Sequence, residues 1–328
     1  MLKLFTLALS LFTVSQIVLD LPYPAHFPQP TYDFSRNRLT SEKIQLGRAL
    51  FYDPILAKDN TISCASCHSP YNAFAHTDHA LSHGIDDQIG TRNAPPLFNL
   101  AWQKTFNRDG AIHHLDLQAL APLNDPREMG ETTENVVEKL QKSDLYPALF
   151  QKAFGDSTVT GERLLKALAQ FQLTLVSGGA KYDEVIAGKE IFTPQEESGY
   201  RLFRKNCNTC HTEPLFSTYD FAKNNLPPDT VLNDYGRGAI TRQSSDSLAF
   251  KIPSLRNLSY THPYMHDGRF KKLREVIRHY NTDFLPEKNT KLSPDEQTDL
   301  IAFLLTLNDR TFVFNKNHQY PRDILLRK

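Results

Sequence analysis

The chain has no excess of charge of either sign: 37 Lys and Arg balance 37 Asp and Glu over 328 residues. No global field gathers nucleic acid or an anionic membrane, so any charged partner reads a local patch. Tryptophan occurs once and methionine three times. Beyond the first twenty or so residues there is no apolar run long enough to span a bilayer. Cysteine is scarce as well, four in all, too few for a fold built on disulfides. What remains, 40% hydrophobic and 23% charged, is the composition of a globular protein with a core of its own. Its length suits two ordinary domains.

The amino-terminal residues are the exception. After Lys3 the run from Leu4 to Phe12, continuing through Val14, Ile17, Val18 and Leu19, is mostly apolar, and Asp20 ends it. Pro22, Pro24, Pro28 and Pro30 follow. This pattern is that of a secretory leader, assigned to residues 1–22 with the cut placed loosely between 15 and 25. Thr6, Ser10, Thr13, Ser15 and Gln16 interrupt the run, which makes an uncleaved anchor the weaker alternative.

All four cysteines fall in two copies of one pattern, Cys64-Ala-Ser-Cys67-His68 and Cys207-Asn-Thr-Cys210-His211. C-x-x-C-H is the attachment site of c-type haem. Two thiols add to the two vinyl groups of one porphyrin, and the adjacent His68 or His211 reaches the iron. Zinc is the rival reading, but the pairs lie 143 residues apart and zinc needs no histidine directly after each. A thioredoxin-like pair would sit near a βαβ pattern, which neither site has. Disulfides are open to an exported chain, yet they leave the histidines unexplained. Two haem c groups are expected.

An internal repeat accompanies the motifs. Gly47-x-x-Leu50-Phe51 precedes the first and Gly199-x-x-Leu202-Phe203 the second. Pro95-x-Leu97-x-Asn99 is matched by Pro253-x-Leu255-x-Asn257, and Asp109-Gly110 by Asp267-Gly268, both at an offset of 158 residues. The same offset places Leu115 on Leu273 and Pro122 on Tyr280. If these segments cover the far sides of the haems, one half presents a phenol and the other a ring without a donor. His211 with Tyr280 would then saturate one iron, while His68 opposite Pro122 leaves the other open, Tyr being a known haem ligand. Tyr280 also completes a helical stripe with Leu273, Val276 and Ile277, the bland alternative. Met265 is the rival ligand, but the repeat aligns it with Asn107 beside the Asp-Gly turn.

Apolar residues at three-to-four spacing predict helices over 134–140, 161–176 and 294–307, and strand alternation is scarce. Thr193-Pro194-Gln195-Glu196 has the form of a helix start. The expected fold is all-α, two cytochrome c-like domains of helices and long loops. The boundary is expected near 177–195, where Ser177-Gly178-Gly179-Ala180 weakens the pattern. That gives domains of 23–185 and 186–328, with the final segment free to return to the first.

Taken together, these residues resemble the bacterial di-haem cytochrome c peroxidases, in particular their MauG-like subgroup. The resemblance runs from about Leu46 to Tyr280. It rests on Leu46-Gly47-Arg48-Ala49-Leu50-Phe51-Tyr52-Asp53-Pro54, both haem motifs, Arg92-Asn93-Ala94-Pro95, the segment 118–130, Pro253-Ser254-Leu255-Arg256-Asn257 and Pro263-Tyr264-Met265-His266-Asp267-Gly268. It implies that the first haem reduces peroxide and the second passes electrons in. The family's distal pair falls on Gln118 and Glu128, a peroxide-orienting amide and a carboxyl group that moves protons. A redox-gated distal histidine, where the family has one, comes nearest to His83 among His76, His79 and His83. The family's interdomain calcium maps to Asn93, Thr261 and Pro263. Where many members place a tryptophan between the haems, this chain has Arg108, and its single tryptophan is Trp102. The implied activity is periplasmic reduction of hydrogen peroxide to water with electrons from a small cytochrome c or cupredoxin. A MauG-like oxidase acting on a partner protein and a plain di-haem electron carrier are the alternatives. A homodimer, common in the family, is left open, and nucleic acid is not a partner.

Overall fold

The molecule, a computed structural model, is described for residues 17–284 and 291–326. Its framework is one helix pair used twice. Ser41–Tyr52 packs along Gly161–Leu173 in the first half, and Pro194–Asn206 along Pro294–Leu305 in the second. The glycines of the repeated motif make this crossing possible. A Cβ on Gly47 would lie 1.8 Å from the Ala167 carbonyl oxygen, and one on Gly199 would lie 1.9 Å from that of Asp299. The Gly-x-x-Leu-Phe motif therefore encodes close helix contact. Thr193 and Ser293 each start a helix with proline in its first turn and a reciprocal capping box to Glu196 or Glu296.

The remaining repeated residues are built alike. Asn99 and Asn257 both adopt the left-handed region, at φ of 53° and 62°, which asparagine tolerates better than most residues. Their backbone N–H groups donate to the carbonyls of Leu175 and Leu307, which lie just past the ends of the two long helices. Short bridges Phe106–Ile112 and Tyr264–Phe270 flank the two Asp-Gly turns. The helix predicted over 134–140 is found as Thr133–Lys142, and the other two end slightly early, at Leu173 and Leu305.

Two aromatic-rich cores follow, one around Leu46, Phe51, Phe74 and Phe171, the other around Phe203, Phe216, Phe303 and Tyr182. The all-α expectation needs one amendment. Phe221–Lys223 (β1) and Ala249–Lys251 (β2) pair antiparallel where the long loop after the second motif doubles back. The final segment returns to the first core: Phe312 and Val313 are buried there, and Arg48 Nε donates to the Gln319 carbonyl at 2.7 Å. At the front, the assigned leader overlaps residues the fold uses. Val18 bridges Thr40 and Leu21 is buried, while residues 1–16 lie outside the described part. Among the described residues no helix is long and apolar enough to cross a membrane.

Candidate haem-binding active site

Each motif is a tight turn that presents its thiols and then its histidine. Cys64–Cys67 forms one helical turn, so the two thiols, three positions apart, share a face. Ala73 and Phe74 both have positive φ, and this turn brings the Phe74 carbonyl to 2.8 Å from His68 Nδ1. His211 Nδ1 lies 3.2 Å from the Phe216 carbonyl and 3.1 Å from that of Pro253. A carbonyl can only accept, so Nδ1 carries the proton in each ring and Nε2 is left as a lone-pair donor. Burial pushes both imidazoles down to about 4, which keeps them neutral and ready to ligate. None of the four cysteines is joined to another, and burial pushes the Cys64 and Cys207 thiols up to about 12. Among the described residues no group of three or more His, Cys, Asp or Glu is placed to hold a metal ion. The zinc and disulfide readings fall with these two findings.

The second motif opens on a cavity of about 320 Å³. Cys207, Cys210 and His211 line it, as do Leu273, Val276, Ile277 and Tyr280 from the helix Leu273–His279 and its continuation. Tyr280 begins a π-helical turn, Tyr280–Phe284, a local widening common at functional sites. Its phenol is pushed up to about 12 by burial and then by the neighbouring Cys210 and Cys207. The bland helical stripe and the proposed ligand are thus one surface, turned to the cavity. Met265 is not among the lining residues; its sulfur accepts from Asn224 Nδ2 at 3.8 Å.

In the first half, a cavity of about 70 Å³ is lined by Pro95, Leu97, Leu115, Gln118 and Arg108, with Lys251 reaching in from β2. Gln118 Nε2 donates to Asn107 Oδ1 at 3.2 Å. Glu128 lies beside the thiols: burial raises both Cys64 and Cys67 first, and the Glu128 charge adds to it. Burial, then Asp125, raises the Glu128 carboxyl above its ordinary value, against a smaller opposing pull from Arg127. The His83 carbonyl accepts from Cys67 Sγ at 3.5 Å, but its imidazole pairs with Asp87 at 2.9 Å and stacks on His79.

Comparison with known proteins adds the decisive observation. The family model described as di-haem cytochrome c peroxidase matches residues 41–191, and one described as cytochrome c matches 196–308. The methylamine utilization protein MauG of Methylophilus methylotrophus is 35% identical over 286 residues, covering 83% of this chain and 84% of its own. The cytochrome c551 peroxidase of Nitrosomonas europaea is 34% identical over 272 residues, covering 81% and 80%. A solved MauG-like protein associated with microbial copper homeostasis superposes with a TM-score of 0.83 at 28% identity, over 92% of this chain and 99% of that one. The chain belongs to the di-haem cytochrome c peroxidase family. Two haem c groups and di-haem peroxidase activity come with membership. The residues present fit the haems: Cys207, Cys210 and His211 line the second cavity, and Pro95, whose carbonyl acts on the His68 imidazole, lines the first.

Calcium fits less well. Asn93 Nδ2 donates to the Ala80 carbonyl, which fixes the amide so that its oxygen faces Arg108. Arg108 Nη2 donates to that oxygen at 2.9 Å, and Arg108 Nε to the Asn93 carbonyl at 2.8 Å. The Asn93 amide oxygen is already occupied by a guanidinium, and none of Asn93, Thr261 and Pro263 brings a carboxylate. Trp102 donates to the Pro28 carbonyl and packs on Tyr23 and Phe27. Lys251, Tyr219 and Gln172, which also line the first cavity, belong to no motif and left no mark in the sequence.

Proposed function

We propose that this family member works as an exported, periplasmic enzyme. It reduces hydrogen peroxide to water at the His68 site, with electrons from a small cytochrome c or cupredoxin entering at the His211 site. The observation that carries the assignment is the asymmetry of the repeat. Tyr280 lines the cavity of the second motif, whereas Pro122, a ring with no donor, holds the equivalent position in the first half.

When bound, the haems supply one iron for peroxide and one for electron entry. The protein does the rest. His68 and His211 would hold the irons through Nε2, and Tyr280 would serve as a second protein ligand to the iron beside His211. Glu128 as a carboxylate takes the proton from the near oxygen of peroxide and returns it to the far oxygen, so that water is the leaving group. Two further electrons and two protons complete the reduction to two waters. Gln118 holds peroxide in register from the cavity wall. Calcium has no part in this reading.

The test is electron paramagnetic resonance of the oxidised holoprotein, with one high-spin and one low-spin centre expected. In Tyr280→Phe the low-spin signal should be lost or displaced; an unchanged signal removes Tyr280 from the ligand set. The placement of Tyr280 also favours a second reading, oxidation of a partner protein. Negligible peroxide turnover with every reduced cytochrome or cupredoxin, together with a modified partner side chain, would establish it instead.

A further inference from the structure

Two buried polar atoms in the first cavity have no partner among the described residues, the Tyr219 hydroxyl and Gln172 Oε1. Groups stranded in this way cost free energy unless something arrives to bond them. The same walls carry two cations that form no direct ion pair among the described residues; Asp109, Asp234 and Asp267 act on them only from a distance, being paired with Arg92 and Arg269. Arg108 spends Nε and Nη2 on Asn93. Lys251 Nζ donates to Gln103 Oε1 at 2.7 Å and to the Thr105 carbonyl at 2.8 Å, both neutral acceptors. Burial, and then repulsion from Arg108, pull the Lys251 amine down to about 7. Such a wall calls for an anion that accepts several hydrogen bonds.

The chemistry of the porphyrin says which anion. The vinyl groups that become thioethers lie along one edge of the macrocycle, and its two carboxylates lie along the opposite edge. Pro95, whose carbonyl acts on the His68 imidazole, lines this cavity while Cys64 and Cys67 do not, so the wall adjoins the first haem slot away from its thiols. We infer that Lys251, Arg108, Tyr219 and Gln172 form the carboxylate pocket of the haem attached to Cys64 and Cys67. The two cations pair with the carboxylates, the Tyr219 hydroxyl donates to them, and the Gln172 amide donates after a half-turn that exchanges its nearly indistinguishable ends.

The origin of the four residues is the consequential part. Arg108 and Gln172 come from the first half, Tyr219 and Lys251 from the second. A haem tied covalently to one half is therefore gripped at its other edge by both. Lys251 also lines the second cavity, so the shared wall joins the two redox centres through one ammonium. Fixed positive charge beside a haem favours the reduced iron, so the second half helps to set the potential of the first haem.

The proposal rests on the presence of two haem c groups and is indifferent to which iron takes peroxide. It is tested by spectroelectrochemical titration of the holoprotein, with haem content counted in the same samples. In Tyr219→Phe one of the two redox waves should move to lower potential while the other stays in place. In Lys251→Met the same wave should fall further. If Lys251→Met fails to retain both haems, Tyr219→Phe alone decides. Two haems per chain with neither wave displaced in Tyr219→Phe would overturn the pocket.

Discussion

Glu128 is a carboxyl group whose surroundings have been arranged against its ionisation. Burial raises it first and Asp125 adds to the effect. Because it must accept a proton to begin the reaction, activity should fall as pH drops through this raised value. The acid limb of the pH–rate profile should then lie above the roughly 4.3 of an ordinary glutamate. Glu128→Gln should lower kcat by about 10²–10⁴-fold with haem spectra preserved, and should abolish that limb; steady-state peroxide assays across pH read both effects. At this scale the sequence was legible wherever covalent chemistry dictates spacing, as in Cys64-x-x-Cys67-His68 and Cys207-x-x-Cys210-His211. Glu128 and Gln118 were visible only through the family resemblance. Lys251 was invisible, because its place depends on β2 lying against Gln103 and Thr105, a contact across nearly 150 residues.

Helices answer to two signals, their starts and their closest contacts, and the sequence carried the starts well. Thr193-Pro194 announces the second haem helix through its cap. Helix ends were less legible. Apolar residues continue to Val176 and Leu307, but the helices stop sooner, where the hydroxyls of Thr174 and Thr306 each bond back three residues at 2.6 Å. Leu175 and Leu307 remain buried beyond the stop, with their carbonyls taken by Asn99 and Asn257. Burial thus outlasted helicity, and periodicity alone cannot separate the two. Gly199 offers a direct test of the helix pair. Since an added methyl would meet the Asp299 carbonyl at 1.9 Å, Gly199→Ala should force the helices apart at a cost of about 1–3 kcal/mol, read as a lower denaturant midpoint of the holoprotein.

The whole molecule is knitted together by contacts between distant parts of the chain. Arg256, fully buried, makes a two-pronged pair with Asp183 at 2.7 and 2.8 Å, and His26 from the amino-terminal segment joins at 2.9 Å. Burial alone would raise Asp183, but the Arg256 pairing overrides it and holds the carboxylate below its ordinary value. Its contribution to stability is therefore complete above about pH 4 and lost as pH falls through the depressed value. Asp183→Asn should cost about 3–5 kcal/mol at neutral pH and make acid unfolding less steep, as measured by denaturant titration at several pH values. With Arg108 engaging Asn93, dialysis against a calcium chelator should leave haem spectra, turnover and melting temperature unchanged. Of the long-range ties only the return of the final segment was open to view in the chain; the Arg256–Asp183–His26 cluster and the Arg108–Asn93 pair left no local pattern. The closing segment shows what such a tie entails. Phe312 packs 6.0 Å from the rings of both Phe74 and Phe98, so a protein synthesised from its amino end keeps the earlier half unfinished until translation is nearly over.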